Sequence, residues 1–545
     1  MHKIFKKLIP VALVVMTLCS ASAAGKYAYL YSQLPFKMQV IDVPVFKKNT
    51  VTITDFGGVG DGVTLNTNAF KKSVDALSAK GGGRLVVPAG VWFTGPIELK
   101  SNINLYLEKG ALILFSPDFN LYPIVSTSFE GLDTRRCQSP ISARNAINVA
   151  ITGHGTINGS GEAWRPLKRA KVTDSFWKKT TGAGGVFKDP SYWFPSAGSL
   201  KGESMSDMNV PRGSLTDPQW SEIRDFLRPV MISFIGCKNV YLQGVLFENS
   251  PAWNIHPLMC ENLIIDNILV RNPSYAQNGD GIDVESCKNV ILVNSTFDVG
   301  DDAICIKSGK DEQGRKRGMP TENMIVDNCK VFKGHGGFVV GSEMSGGVKN
   351  IQVKNCQFLG TDVGLRFKSN RGRGGVVENI FISDIYMFDI ATDSFLFDLY
   401  YNGKSASESL EDGDKAVTVA VPAVTVETPS FRNIYVKNIV SRNARRALYF
   451  NGLPEMNISN INVENAYISS HFGAELCEST GIHFKNIHLK PSEGPALILQ
   501  NVKDFNLKDF FYPEDLNEAV RVTGKSSNIQ LPEKVAKLKI VGQSK

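Results

Sequence analysis

The chain lacks the features of a membrane-spanning, a helical or a disulfide-knit protein. Of its 545 residues, only the run from Leu8 to Leu18 is strongly apolar, and a spanning helix needs about 20 such residues. Few stretches show helix-type periodicity, which argues against a helical architecture. The antiparallel hairpins and evenly spaced two-residue glycine turns of a β-propeller are not evident either. Charge of one sign is also scarce. The formal net charge is +7, and Lys3, Lys6 and Lys7 supply three of it, leaving +4 for the remainder. Such mild basicity is compatible with a polyanionic ligand and gives no nucleic-acid signature.

What is present begins with Lys3, Lys6 and Lys7, the short apolar run, and the small residues Ala21-Ser22-Ala23-Ala24. These read as an export leader over residues 1–24, cleaved after Ala23 or Ala24. Met16-Thr17-Leu18 is a poor lipobox before Cys19, so an exported protein, periplasmic or extracellular, is expected rather than a lipid-anchored one. Eight cysteines follow the leader. Their phase is that of a repeat. Cys237, Cys260 and Cys287 each precede an asparagine by two residues, and Cys329 and Cys356 each follow one. Equivalent positions in stacked turns meet, so buried, reduced thiol ladders are expected, with free cysteine packing as a small hydrophobe.

The pattern Asn, apolar, x, apolar, x, Asn or Asp begins at Asn262, Asn289, Asn323, Asn350, Asn379 and Asn433, with degenerate copies at Asn239, Asn460 and Asn486. The spacing is mostly about 23 to 34 residues, the range of solenoids. Alternation of period two, rich in Val and Ile, indicates strands. An all-β fold follows: a right-handed parallel β-helix with three short strands per turn and asparagine ladders at the corners. A solenoid grows as one unit, so residues 25–545 read as a single domain. Asp55 to Gly62 and a helical stretch from Asn66 to Ala79 read as an N-terminal cap within about residues 50–100. Two further segments break the repeat, about 164–228, rich in aromatics, Lys and Arg, and about 400–430, which contains an acidic run. Long loops on such a scaffold often shape a binding site.

Four motifs stand about one repeat apart: Asn278-Gly279-Asp280-Gly281, Gly300-Asp301-Asp302, Gly334-His335-Gly336 and Arg366-Phe367-Lys368. Asp301, His335 and Asp362 each lie twelve positions after a repeat asparagine, so they are expected in one column. Asp280 joins them if a longer turn sets Gly279-Asp280 against Gly300-Asp301. Arg366 and Lys368, two apart on a strand, face one side. Taken singly, Asp283 and Asp362 read as turn caps. Together, the carboxylates, imidazole and cations suit hydrolysis of an acidic sugar polymer. Crowded carboxyls raise a pKa, a protonated one serves as acid, and ionised ones activate water. Calcium binding by the same acids would leave His335 unexplained and set the cation against Arg366 and Lys368.

These motifs, over about Thr52 to Phe450, resemble glycoside hydrolase family 28, the polygalacturonases. The resemblance implies a pectin-lyase-like solenoid and inverting cleavage of α-galacturonosidic bonds without a cofactor. It implies Asp301 as general acid, Asp280 and Asp302 as activators of water, and His335 in support. It also implies Arg366, Lys368, Asn278 and Tyr401 as substrate-binding residues. Asn278-Gly279-Asp280 and Arg366-Phe367-Lys368 depart from the Asn-Thr-Asp and Arg-Ile-Lys of many members without removing a functional side chain. The segments Gly341 to Gly347 and Arg371 to Gly375 resemble the bacterial exo-acting branch, in which loops close one end of the groove. The expected substrate is pectic, with no nucleic-acid partner. A galacturonohydrolase acting on rhamnogalacturonan and a non-catalytic carbohydrate-binding β-helix are the alternatives.

Overall fold

The computed structural model describes residues 25–404, 421–535 and 537–541. The leader expected at residues 1–24 and the acidic run of the 400–430 loop lie outside them. The Val/Ile alternation of each repeat forms strands that pair in parallel with the strands one repeat before and after. Val240, Leu263, Val290 and Met324, for example, fall in successive registers. The result is a right-handed parallel β-helix. Inward residues stack turn upon turn in one continuous core. Val340, Phe367, Phe397 and Phe450 occupy one such row, and the rings of Phe367 and Phe450 lie 4.5 and 4.7 Å from that of Phe397.

The corners explain the repeat asparagines. Asn102, Asn148, Asn239, Asn262, Asn289, Asn323, Asn350 and Asn379 all adopt the left-handed conformation, φ between 56° and 63°, which asparagine tolerates better than most residues. From Asn148 onward each amide donates to the asparagine of the turn before. The expected ladder is therefore hydrogen-bonded, at about 1 kcal/mol net per link. All eight described cysteines are free and buried, and the Cys260 N–H donates to Cys287 Sγ at 3.4 Å.

Helix α1 (Thr67–Ala79) follows Asn66 and buries Phe70, Val74 and Leu77 against the first strands. It covers an apolar edge that would otherwise invite further pairing. The segment after the leader was not legible as structure. Tyr27, Leu30 and Ile41 pack outside the solenoid on Ile264, Ile291, Val293 and Ile325, while the Tyr27 hydroxyl and Lys26 bind Asp266. An outward row of isoleucines needs such a cover.

Residues 164–228 form a small lobe. Strands Leu167–Lys168, Tyr192–Phe194 and Val186–Asp189 make an antiparallel sheet, accompanied by helices Asp174–Gly182 and Ala197–Ser204. Trp164, fully buried, anchors the lobe with edge-on contacts to Phe119 and Tyr122. Among the described residues, no helix is long and apolar enough to cross a membrane.

Candidate active site

One sheet carries the site on five successive strands: β1 (Ile255–Leu258), β2 (Ile282–Glu285), β3 (Asp302–Lys307), β4 (Gly336–Val340) and β5 (Val363–Lys368). Apolar residues of each strand point into the core, and the alternate residues point outward beneath the 164–228 lobe.

The expected column exists. The His335 N–H donates to Asp301 O at 2.9 Å, and the Val363 N–H donates to His335 O at 3.2 Å. His335 Nδ1 lies 3.1 Å from Asp301 Oδ1, and Nε2 lies 3.7 Å from Asp362 Oδ2. Asp280 departs from expectation by one residue. Ile282 pairs with Ile304, and the Gly281 N–H donates to Asp302 O at 2.9 Å, so Asp280 stands beside Asp302 rather than Asp301. Asn272 fixes this register by donating to the carbonyls of Gly279 and Asp280 at 3.1 and 3.2 Å. Even so, Asp280, Asp301 and Asp302 present carboxylate oxygens within 4.8 Å of one another.

Arg366 and Lys368 do share a face, and both hold Asp302. Arg366 Nη1 donates to Oδ1 at 3.1 Å and Lys368 Nζ to Oδ2 at 2.7 Å. Tyr401 lies beside them, its ring centre 4.9 Å from Lys368 Nζ and 5.8 Å from the Arg366 guanidinium carbon. Asn278 accepts from Arg228 Nη2 at 2.8 Å and donates to Glu130 Oε1 at 3.4 Å. All eight residues proposed from the sequence therefore gather in one place.

A second set of charges was missed or misjudged. Asp283 is not a turn cap. It lies within β2, fully buried, and neither of its carboxylate oxygens has a hydrogen-bond partner among the described residues. Lys307 Nζ, 3.6 Å from Asp283 Oδ1, donates to Glu343 Oε2 at 2.8 Å and lies 4.6 Å from the Trp253 ring centre. The signal was available: Ile282-Asp283-Val284-Glu285 alternates apolar and acidic, which sends both acids outward. Glu130 had no such signal. It sits at the tip of the hairpin Ile124–Phe129 and Leu132–Cys137, where burial, then the charge of Glu343, pushes its pKa up to about 6.

The titration directions divide the carboxyls. Asp280 is raised well above the usual range by burial, then by the charges of Asp283 and Asp301. Asp283 is raised by burial against the attraction of Lys307. For Asp302, burial is outweighed by Lys368 and Arg366, which hold it low. For Asp301, burial is outweighed by the His335 hydrogen bond and charge, then by Lys368 and Arg366. The hydrogen bond to Asp301 in turn raises His335. Asp301 is the most open of the three acids, its side chain 23% exposed against 2% for Asp302, so it is the one a leaving group can reach.

The three clustered acids are also the one grouping among the described residues that could hold a metal ion. Both oxygens of Asp302 already accept from cations, so a metal there would displace them. An adjoining cleft of about 480 Å³ is lined by Asp301, His335, Asn278 and Gln277, and, from the lobe, by Lys168, Lys171, Lys188 and Tyr192. A groove of about 510 Å³ on the outer face farther along the solenoid, lined by Tyr435, Glu464, His483 and Lys485, has no such set of acids.

Comparison with known proteins points to one family. The family model for glycosyl hydrolases family 28 matches residues 224–441, a span that includes all four motifs. A solved hyperthermoactive exopolygalacturonase from Thermotoga maritima is 33% identical, with a TM-score of 0.64 over 79% of this chain and 89% of that one. An exo-poly-alpha-D-galacturonosidase of Dickeya chrysanthemi is 30% identical over 64% of this chain and 57% of its own length. A probable polygalacturonase of Vitis vinifera is 28% identical over 77% of this chain and 74% of its own.

Proposed function

The chain belongs to glycoside hydrolase family 28, and from that premise we propose that it is an exported polygalacturonase releasing galacturonic acid from the non-reducing end of pectic chains. The observation that carries this reading is the joining of three carboxylates to a cationic pair on adjacent turns, so that acid, water activators and a uronate anchor act on one sugar.

In the proposed mechanism Arg366 and Lys368 bind the substrate carboxylate, Arg as a planar fork and Lys as a point charge, with Tyr401 beside them. Asp280 and Asp302 activate water. Acceptors no more than 4.8 Å apart can both take hydrogen bonds of about 2.7–2.8 Å from one water molecule. Asp301, the acid, also lies within 4.8 Å of both, closer than the 6.5–9.5 Å or so common between the acid and base carboxyl groups of inverting enzymes, and inversion is proposed here on the water that Asp280 and Asp302 share. Asp301 protonates the leaving oxygen, and His335 orients it. In the free protein the His335 hydrogen bond and charge, then Lys368 and Arg366, hold Asp301 ionised. A bound uronate neutralises Arg366 and Lys368 and excludes water, and both changes raise the Asp301 pKa so that it gains its proton in the complex.

A chromatographic time course on polygalacturonic acid tests this. Monomer from the outset with slow loss of viscosity supports exo action. A ladder of oligomers overturns it in favour of an open, endo-acting groove. Asp301→Asn is expected to lose about 10²–10⁴-fold in rate, the usual worth of a general acid.

A further inference from the structure

We infer that the face of the 164–228 lobe turned away from the acids carries a second ligand site, a cavity that takes a small planar carboxylate with an apolar, aromatic body. The inference goes beyond the hydrolase reading and does not depend on it.

Alternation along the lobe's antiparallel sheet separates two surfaces. Lys168 pairs with Tyr192 and Leu167 with Trp193. Lys168 and Tyr192 line the cleft beside Asp301, whereas Leu167 and Trp193 line a different cavity of about 390 Å³. That volume lies within the range of small-molecule sites. Its wall is largely ring surface. The Trp193 indole N–H donates to Gly184 O at 2.8 Å, and Phe176 and Tyr275, which also line the cavity, pack with ring centres 4.9 Å apart.

Into this apolar lining the chain places a buried cation. Arg165 lines the cavity and is only 3% exposed. Its Nη2 donates to Asn249 Oδ1, but Nε and Nη1 are buried with no acceptor among the described residues. Glu162, on the same wall, accepts instead from Asn249 Nδ2. Burial lowers the Arg165 pKa to about 10, so the guanidinium stays charged at neutral pH. A buried charge with unanswered donors is costly, and an entering anion supplies both acceptors and counter-charge. Lys179, on the helix Asp174–Gly182, adds a second cation to the lining.

These features fix the ligand class. A guanidinium suits a carboxylate in shape and charge. The rings, with Pro166 and Pro273 beside them, suit a flat apolar body. A sugar acid would leave most of its hydroxyls unpaired against such a wall.

Isothermal titration calorimetry of the full chain with cinnamate, and with its uncharged isostere cinnamide, tests the site. Saturable one-to-one binding of cinnamate is expected, about 10- to 100-fold tighter than that of cinnamide, the usual worth of hydrogen bonds to a charged group. Arg165→Met should remove most of that difference, and Arg165→Lys should restore part of it. Saturating trigalacturonate should leave the cinnamate affinity unchanged, because the acids lie on the other face of the sheet. Absence of cinnamate binding, equal affinity for cinnamide, undiminished binding by Arg165→Met, or displacement by trigalacturonate overturns the site. The comparison of acid with amide is made on the unaltered protein, so it decides the matter even if the arginine variants fail to fold.

Discussion

Lys368 Nζ donates to Asp302 Oδ2 at 2.7 Å, with both side chains less than a tenth exposed. A buried pair of this kind contributes little net stability when intact, but breaking it strands a charge at about 3–5 kcal/mol. Lys368→Met is therefore expected to lower the melting temperature by several degrees as well as to raise KM for galacturonan. A variant that loses activity at unchanged melting temperature would mean that the pair is not buried as described.

Asp280 and Asp283 give a pH prediction. Burial is the largest cause of both upward shifts, and the Asp283 charge comes next for Asp280. A carboxyl whose folded pKa is raised weighs against the fold above that pKa, and the burden vanishes as pH falls below its unfolded value of about 3.9. Asp283→Asn is expected to raise the melting temperature at about pH 8 relative to wild type, with the gap closing toward pH 4. Because Asp280 then loses a neighbouring charge, the acid limb of kcat/KM should move to lower pH. An acid limb that stays in place would show that Asp283 does not set the ionisation of Asp280.

The alkaline limb of the proposed activity is expected to follow His335. Its pKa is raised by Asp301, so the imidazolium persists above the ordinary value of about 6.5. Activity that depends on that cation should fall as pH rises through the raised value. In Asp362→Asn, which removes the carboxylate 3.7 Å from Nε2, the limb should lie slightly lower. A limb unmoved by His335→Gln would assign it elsewhere.

Much of this site was legible because a solenoid converts sequence interval into spatial adjacency. Counting from the repeat asparagines placed Asp301, His335 and Asp362 in one column, and strand alternation put Arg366 and Lys368 on one face. The one-residue error at Asp280 came from a turn whose length is set by Asn272, a side-chain contact no spacing rule encodes. Arg228 and Glu130, which hold Asn278, and Tyr27, which covers Ile264, come from segments distant in sequence that obey no repeat. Their roles are fixed by tertiary contact alone.

Phe367 separates the two cations in sequence and points the opposite way, into the core, where it is fully buried and packs 4.5 Å from Phe397. Phe367→Ala is expected to cost about 3–5 kcal/mol and to loosen Arg366 and Lys368 together, lowering kcat/KM beyond the loss of folded protein. Phe367→Ile, the residue common at this position in the family, should retain most of both. Equal damage from the two substitutions would contradict a purely packing role.

The claim that Asp280 and Asp302 deliver one water molecule to the anomeric carbon while Asp301 protonates the leaving oxygen is tested most directly by proton NMR during the first minutes of trigalacturonate hydrolysis, before mutarotation. The account predicts that the β-anomer of the newly formed reducing end appears first. First appearance of the α-anomer would mean retention through a covalent intermediate and would contradict it, as would signals of an unsaturated uronate, which would show elimination in place of hydrolysis.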